Sequence, residues 1–287
     1  MRTGRFLSVA RGEFHAISYV DWGPRDAERV AVCVHGLTRQ GRDFDVLAQD
    51  LARRGWRVVC PDLAGRGLSG RLKNPDDYGL PQYVVDMTML VAHLDVEDVT
   101  WIGTSLGGLI GILMASKEQT PVRSLVINDI GPHLPWLALR RIGEDIRAAP
   151  RSHRDFASAL RHVREVYAPF GRLTDDQWEH LARHSVFKSE EGTWISHFDP
   201  GIGEAFRPGR IFNNSFWQFW DRIDCPTLVL RGQHSDLLRP DTAQQMTRRG
   251  PRADLVEFPD CGHAPALLDS SQTALVVDWV ERSYRST

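Results

Sequence analysis

Residues Val99 to Gly108 constrain this chain more than any other stretch. A short apolar run, Val99-Thr100-Trp101-Ile102, climbs into Gly103-Thr104-Ser105-Leu106-Gly107, and an apolar helical pattern follows at once. Strand, sharp turn and helix in that order force the central serine into a strained backbone conformation with its hydroxyl exposed at the top of the strand. Glycines two residues either side remove the Cβ atoms that would collide in so tight a bend. A bare glycine-rich turn with an incidental serine is the bland alternative, and the flanking strand and helix weigh against it. Ser105 is therefore a candidate nucleophile.

The rest of the chain repeats the strand-then-helix theme. Continuous apolar runs at Val30 to Val34, Arg57 to Cys60, Val99 to Ile102, Ser124 to Ile127, Thr227 to Leu230 and Asp254 to Phe258 predict strands covered on both faces. Between them, helical patterns span Asp43 to Arg54, Leu80 to Leu94, Leu106 to Ser116, Pro240 to Arg249 and Ser270 to Tyr284. The alternation predicts an α/β fold, a mostly parallel doubly wound sheet. Phe6 to Val9 and Phe14 to Asp21 are placed ahead of it as an antiparallel edge pair. One interval breaks the pattern. From Gly131 to Arg222 no convincing strand is found, so residues 1–130 and 223–287 are expected to form the core, with 131–222 inserted as a helical cap. Five of the nine tryptophans fall in that insert, which must dock where the sites of α/β sheets lie.

Composition narrows the partners. With 35 Lys+Arg against 37 Asp+Glu, nothing favours nucleic acid or an anionic membrane. No run of 18 apolar residues predicts a membrane span, and the N-terminus lacks the apolar segment of a signal peptide. Four scattered cysteines form no C-x-x-C pair, so reduced thiols and a cytoplasmic setting are expected. A small-molecule substrate, no cofactor and a monomer or homodimer complete the expectation.

A serine hydroxyl needs a base, and the base needs an orienting acid. His263, in Cys261-Gly262-His263-Ala264-Pro265 just after the last strand, is the histidine of the eleven placed to serve Ser105. For the acid, Leu230 to Leu238 supplies Asp236 in a loop directly after a strand. Asp129, after the strand that ends at Asn128, is the rival. Asp260 lies too close in sequence to turn back onto the ring. Donors for a developing oxyanion are expected from the backbone N–H groups of Leu106, at the helix start, and Leu37, in His35-Gly36-Leu37-Thr38. The ring of His35 is expected to tie that loop down. His180 and His184 have the i, i+4 spacing of a metal pair, but no third ligand is evident in sequence, so no metal is expected.

Taken together, the chain resembles the α/β-hydrolase superfamily over essentially its full length. The resemblance rests on the Ser105 turn, His35-Gly36 after the third strand, Pro61 to Ser69 (similar to D-x-x-G-x-G-x-S), Arg231-Gly232 with Ser235-Asp236, and Gly262-His263. It implies the chain order Ser105, Asp236, His263 for the triad, an architectural role for the Asp62 to Ser69 loop, and a cap inserted after the sixth strand. Ser105 stands where dehalogenases and epoxide hydrolases of this fold carry aspartate. Ala264 follows the histidine where carbon–carbon bond hydrolases usually carry tryptophan, and Leu106 follows the nucleophile where proline iminopeptidases carry tryptophan. Hydrolysis of carboxylic esters through an acyl-enzyme is what remains, lactones and thioesters included. Carbon–carbon hydrolysis or a non-catalytic receptor of the same fold is the alternative. The cap aromatics Trp136, Trp194, Phe198, Phe206, Phe212 and Trp217 are expected to line an apolar pocket, and the cap arginines Arg140, Arg141 and Arg207 to lie on solvated helix faces.

Overall fold

The computed structural model describes residues 1–206 and 215–286, and their side chains except at 205, 206 and 286. In chain order its first elements are β1 (Arg2–Ala10), β2 (Glu13–Trp22), β3 (Val30–Val34), α1 (Asp45–Arg53), β4 (Arg57–Pro61), α2 (Leu80–Leu94), β5 (Val99–Thr104), α3 (Leu106–Ala115) and β6 (Val122–Asn128). Eight strands form one sheet in the order β1-β2-β4-β3-β5-β6-β10-β11, closed at its far edge by β10 (Thr227–Gly232) and β11 (Asp254–Phe258). From β4 to β11 every pairing is parallel; β1 on β2 and β2 on β4 are antiparallel. The expected edge pair is there.

Burial follows from position in the sheet. β3 and β10 are buried at every residue, as continuous apolar runs require when helices cover both faces. β1, at the edge, alternates buried and exposed toward its end, so one face meets solvent. One apolar cluster gathers α2 and α3 with residues such as Leu90, Ile110 and Trp101. A second, on the other face, packs α1 and the last helix, α9 (Ser270–Ser286), around Leu47, Leu51, Trp56 and Val277. No helix among the described residues is long and apolar enough to cross a membrane. The four cysteines form no disulfide.

Between β6 and β10 the chain leaves the sheet. It forms α4 (Trp136–Ala148), α5 (Phe156–Val166), α6 (Asp175–Ser185) and α7 (Trp217–Trp220), with α8 (Pro240–Met246) following β10. Contrary to the sequence reading, it also holds a small antiparallel sheet, β7 (Ser152–His153), β9 (Trp194–Ser196) and β8 (Val186–Lys188), in that order. Strands of two and three residues are too short to display a period, which is why the sequence hides them. α5 and α6 each begin with a reciprocal capping box, Asp155 with Ser158 and Thr174 with Gln177. A third apolar cluster seats this segment on the core, Trp178, Leu181 and Ala182 packing with Leu268.

Candidate active site

The turn after β5 is built as its glycines predict. Ser105 sits at φ 51°, ψ −114°, outside the regions an L-residue favours. A Cβ on Gly103 would lie 2.3 Å from the Gly107 carbonyl carbon, and one on Gly107 would lie 2.0 Å from the Val34 oxygen. No side chain fits at either place. The Ser105 N–H donates to the Asn128 carbonyl at 2.8 Å, pinning the turn to the end of β6.

His263 reaches this serine from the far edge of the sheet. Its Nε2 lies 2.9 Å from Ser105 Oγ. The loop carrying it is held by the Asn128 side-chain amide, which donates to the Pro265 carbonyl at 2.8 Å, and by the Gly262 N–H, which donates to the Pro169 carbonyl at 2.7 Å.

The acid is where the sequence reading needs correction. His263 Nδ1 donates to Asp129 Oδ2 at 2.7 Å, and Asp236 does not touch the ring. Asp236 projects outward, half exposed, and accepts a two-pronged ion pair from Arg141 on α4 at 3.0 Å from both Nε and Nη2. The Arg231 to Leu238 loop serves the site differently. The Gly232 N–H donates to Asp129 Oδ1 at 2.8 Å, and the Ser235 hydroxyl donates to Asp129 Oδ2 at 2.5 Å. Ser235 Oγ in turn accepts from the N–H groups of Leu237 and Leu238. A fully buried carboxylate is tolerable only with such partners. Asp129 itself has φ 58°, so the backbone reverses at the end of β6 and aims the carboxylate along the strand tops.

The Leu37 loop runs beside Ser105, since a Cβ on Gly36 would stand 3.6 Å from Ser105 Cβ. Leu37 and Leu106 both pack on the first apolar cluster, with Leu106 at the start of α3. His35 is buried and neutral. Burial lowers its pKa to about 3, Nδ1–H donates to the Gly36 carbonyl, and Nε2 accepts from the Leu63 N–H at 2.9 Å. The ring thus joins the Leu37 loop to the Asp62 loop. Asp62 holds that second loop, accepting from the N–H groups of Gly41 and Leu68 at 2.8 Å. Cys261, beside the histidine, is no competing nucleophile, because burial raises its thiol to about 11.

Arg66 escaped the sequence reading. It is 1% exposed. Its Nε donates to the Leu37 carbonyl at 2.8 Å, and its Nη1 donates to the Ala64 carbonyl at 2.6 Å and the Tyr83 hydroxyl at 2.7 Å. The guanidinium lies 4.9 Å from the Tyr83 ring centre. Nη2 has no hydrogen-bond partner and no carboxylate pairs with this charge among the described residues. Its place inside Gly65-Arg66-Gly67 was the available signal.

Described residues between β6 and β10 bond to these loops. Gly67 N–H donates to the His197 carbonyl at 2.8 Å, Asp199 N–H to the Gly65 carbonyl at 2.7 Å, and Arg39 Nη1 to Ser185 Oγ at 2.6 Å. Of the six aromatics expected in a pocket, Phe198 forms a backbone bridge with Arg66. Trp194 packs on Phe156 at 5.2 Å, Trp217 lies under the Arg249 guanidinium at 4.2 Å, and Trp136 is half exposed. Phe212 and the side chain of Phe206 lie outside the described residues. Arg141 lies on a solvated face as expected, 47% exposed, and pairs there with Asp236; Arg207 lies outside the described residues.

Such an arrangement can move the Ser105 proton onto an imidazole whose second nitrogen is anchored on a buried carboxylate. Comparison with known proteins agrees with the architecture. The family model of the alpha/beta hydrolase fold matches residues 30–270. A 3-hydroxybutyrate-oligomer hydrolase of Cupriavidus necator is 42% identical over 283 residues, 96% of each chain. The crystal structure of an alpha/beta hydrolase from Novosphingobium aromaticivorans superposes with TM-score 0.85 at 32% identity, covering 98% of both chains. The X-ray structure of a Rickettsia typhi protein described as a putative hydrolase gives 0.90 at 29% identity over 98% of this chain and 99% of that one. The chain belongs to the α/β-hydrolase fold family.

Proposed function

We propose that this protein hydrolyses carboxylic esters through an acyl-enzyme on Ser105, with His263 as general base and acid and Asp129 as the orienting carboxylate. The contact of Ser105 Oγ with His263 Nε2 at 2.9 Å, backed by Asp129 at 2.7 Å on Nδ1, carries the reading. His263 accepts the serine proton as Oγ bonds to the ester carbonyl carbon. It returns that proton to the leaving alcohol, then activates a water that releases the acid from Ser105. The backbone N–H groups of Leu37 and Leu106 receive the charge that builds on the carbonyl oxygen. Arg66 supports this as a positioning residue, holding the Leu37 carbonyl within the same loop.

Residues 131–222 act as the cap, and 1–130 with 223–287 as the catalytic core. The substrate class is an ester of a short hydroxy acid, of which 3-hydroxybutyrate oligomers are the model. The identity to the Cupriavidus necator enzyme along almost all of both chains supports that choice. The methyl-bearing units of such an oligoester are small and apolar, as are the partly buried Leu37, Leu106 and Phe198 side chains that pack on the first apolar cluster, and its terminal carboxylate can stay in water. A fluorophosphonate should label Ser105 stoichiometrically, and the 3-hydroxybutyrate dimer and trimer should be cleaved. Labelling that survives Ser105→Ala would defeat the nucleophile assignment. Turnover of p-nitrophenyl butyrate with none of the oligomers would leave an esterase but remove the substrate class.

A further inference from the structure

The two histidines whose spacing suggested a metal pair find a third partner across the seam between segments. On α6, His180 and His184 stand one turn apart with ring centres 4.4 Å from each other. That face meets the start of α1, and one ligand atom each of Asp45, His180 and His184 all lie within 4.8 Å of one another. Asp45 is a buried carboxylate, its side chain 5% exposed. His184 Nδ1–H donates to the His180 carbonyl at 2.8 Å, which leaves Nε2 with its lone pair free of a proton. An imidazole whose second nitrogen is fixed by a backbone carbonyl, with the other lone pair presented to the cluster, has the orientation a metal ligand needs.

Arg42 completes the cluster. Its guanidinium lies 2.6 Å from the Asp45 carboxylate, and its Nε donates to both carboxylate oxygens. The side chain is 26% exposed at the edge of the seam, so it can turn to solvent without leaving a buried charge behind. Its carbonyl accepts from His180 Nε2–H at 2.9 Å, and Asp45 Oδ2 lies 3.8 Å from the same nitrogen.

We infer that Asp45, His180 and His184 form a binding site for a divalent transition metal of the Zn²⁺ class, in which Arg42 holds the place of the cation when no ion is bound. On binding, Arg42 swings outward, His180 moves its proton from Nε2 to Nδ1, and two imidazole nitrogens and a carboxylate oxygen ligate the ion. Two nitrogens and one oxygen suit Zn²⁺ or Co²⁺ rather than Mg²⁺ or Ca²⁺, which prefer all-oxygen shells. The ion joins α6 to the core beside the bonds from Arg39 to Ser185 and from Gln40 to the His184 carbonyl. Since it touches neither Ser105 nor His263, it clamps the seam rather than reacting with substrate. The inference stands independently of the ester-hydrolase reading.

The test treats the full protein with chelator, then titrates Co²⁺ by its visible absorption and Zn²⁺ by calorimetry and thermal melting. One ion per chain and a raised Tm are expected. His184→Asn should weaken Zn²⁺ binding by at least ~10-fold, the lower end of what losing even a ligand's supporting partner costs. His180→Asn should do the same, which covers the case of one variant misfolding. Arg42→Ala should tighten binding about 2–5-fold, the change in equilibrium that loss of a competing, partly exposed ion pair brings. His162→Asn should change nothing, although His153 and His162 also have rings 5.2 Å apart. Absence of saturable binding, affinity unmoved by both α6 variants, loss on His162→Asn instead, or unchanged or weaker binding by Arg42→Ala would each overturn the assignment.

Discussion

Replacing Asp129 by asparagine separates the two candidate acids by chemistry rather than by shape. Both carboxylate oxygens are in use: Oδ1 accepts from Gly232 N–H, and Oδ2 accepts from Ser235 Oγ and from His263 Nδ1. An amide offers only one acceptor. If its oxygen stays on Gly232, its NH₂ faces the imidazole, and Nδ1 must accept instead of donate. The ring proton then sits on Nε2, where Ser105 Oγ at 2.9 Å needs a base. The wrong tautomer costs ~10⁴-fold in kcat where it has been imposed on such a triad, or ~5.5 kcal/mol at 1.36 kcal/mol per tenfold. Disturbing the buried hydrogen bonds should cost a further ~1–3 kcal/mol of stability, visible as a lower denaturation midpoint. Asp236→Asn is the contrast. Its side chain is 52% exposed and bonded to an arginine 47% exposed, so ~0.2–1 kcal/mol of stability and only a few-fold in rate are at stake. Hydrolysis of p-nitrophenyl butyrate by both variants, with circular dichroism to establish that each is folded, reads the difference. The reasoning is refuted if Asp236→Asn is the more damaging change, or if Asp129→Asn retains a rate within tenfold of the parent.

Three further outcomes follow from the same geometry. Arg66→Gln should lower kcat by up to ~10²-fold with little change in KM, because a loop misplaced by about an ångström is felt in the transition state; a purely structural role would instead lower stability and leave kcat of the folded fraction intact. His35 is held neutral with a pKa of about 3, whereas the unfolded chain takes up a proton near pH 6.5. Stability on its account rises with pH between those values and is lost as acid is added, by ~2 kcal/mol at pH 5. Asp62, raised to about 6 by burial, acts with the opposite sign between its unfolded value and pH 6, so His35→Asn should be less stable at pH 7 yet lose less on moving to pH 5 in urea titrations. On a p-nitrophenyl acyl series kcat/KM should rise by up to ~0.8 kcal/mol per methylene and then level or fall as the pocket fills; a flat series, or preference for acyl groups charged along their length, would contradict an apolar cleft.

The sequence by itself determined the sheet's strands, most of its helices, and the turn serine and loop histidine that are the candidate nucleophile and base. Each of these is written locally. Unbroken apolar runs fix strands covered on two faces, and Gly103 and Gly107 around Ser105 permit only one kind of turn. His263 sits in the loop beyond the last strand, and any strand end in a parallel sheet opens on the same edge. What the tertiary structure decided is what the chain brings together from far apart. Asp129 and His263 are 134 residues apart, and Asp129 and Asp236 both follow strands that end on that edge. Spacing cannot say which carboxylate turns inward. The answer depends on the reversed backbone at Asp129 and on Gly232 and Ser235, which together make a buried charge tolerable there, while Arg141 offers Asp236 a partner in solvent. Arg66 reads in sequence as one more loop arginine until folding removes its water and leaves the Leu37 carbonyl as an acceptor. His180 and His184 declared their shared face by helical period, but Asp45 lies 135 residues before the first of them and joins them only because α6 packs on the start of α1. Local spacing sets backbone conformation; which charges face one another inside the protein is settled by packing, and packing is a property of the whole chain.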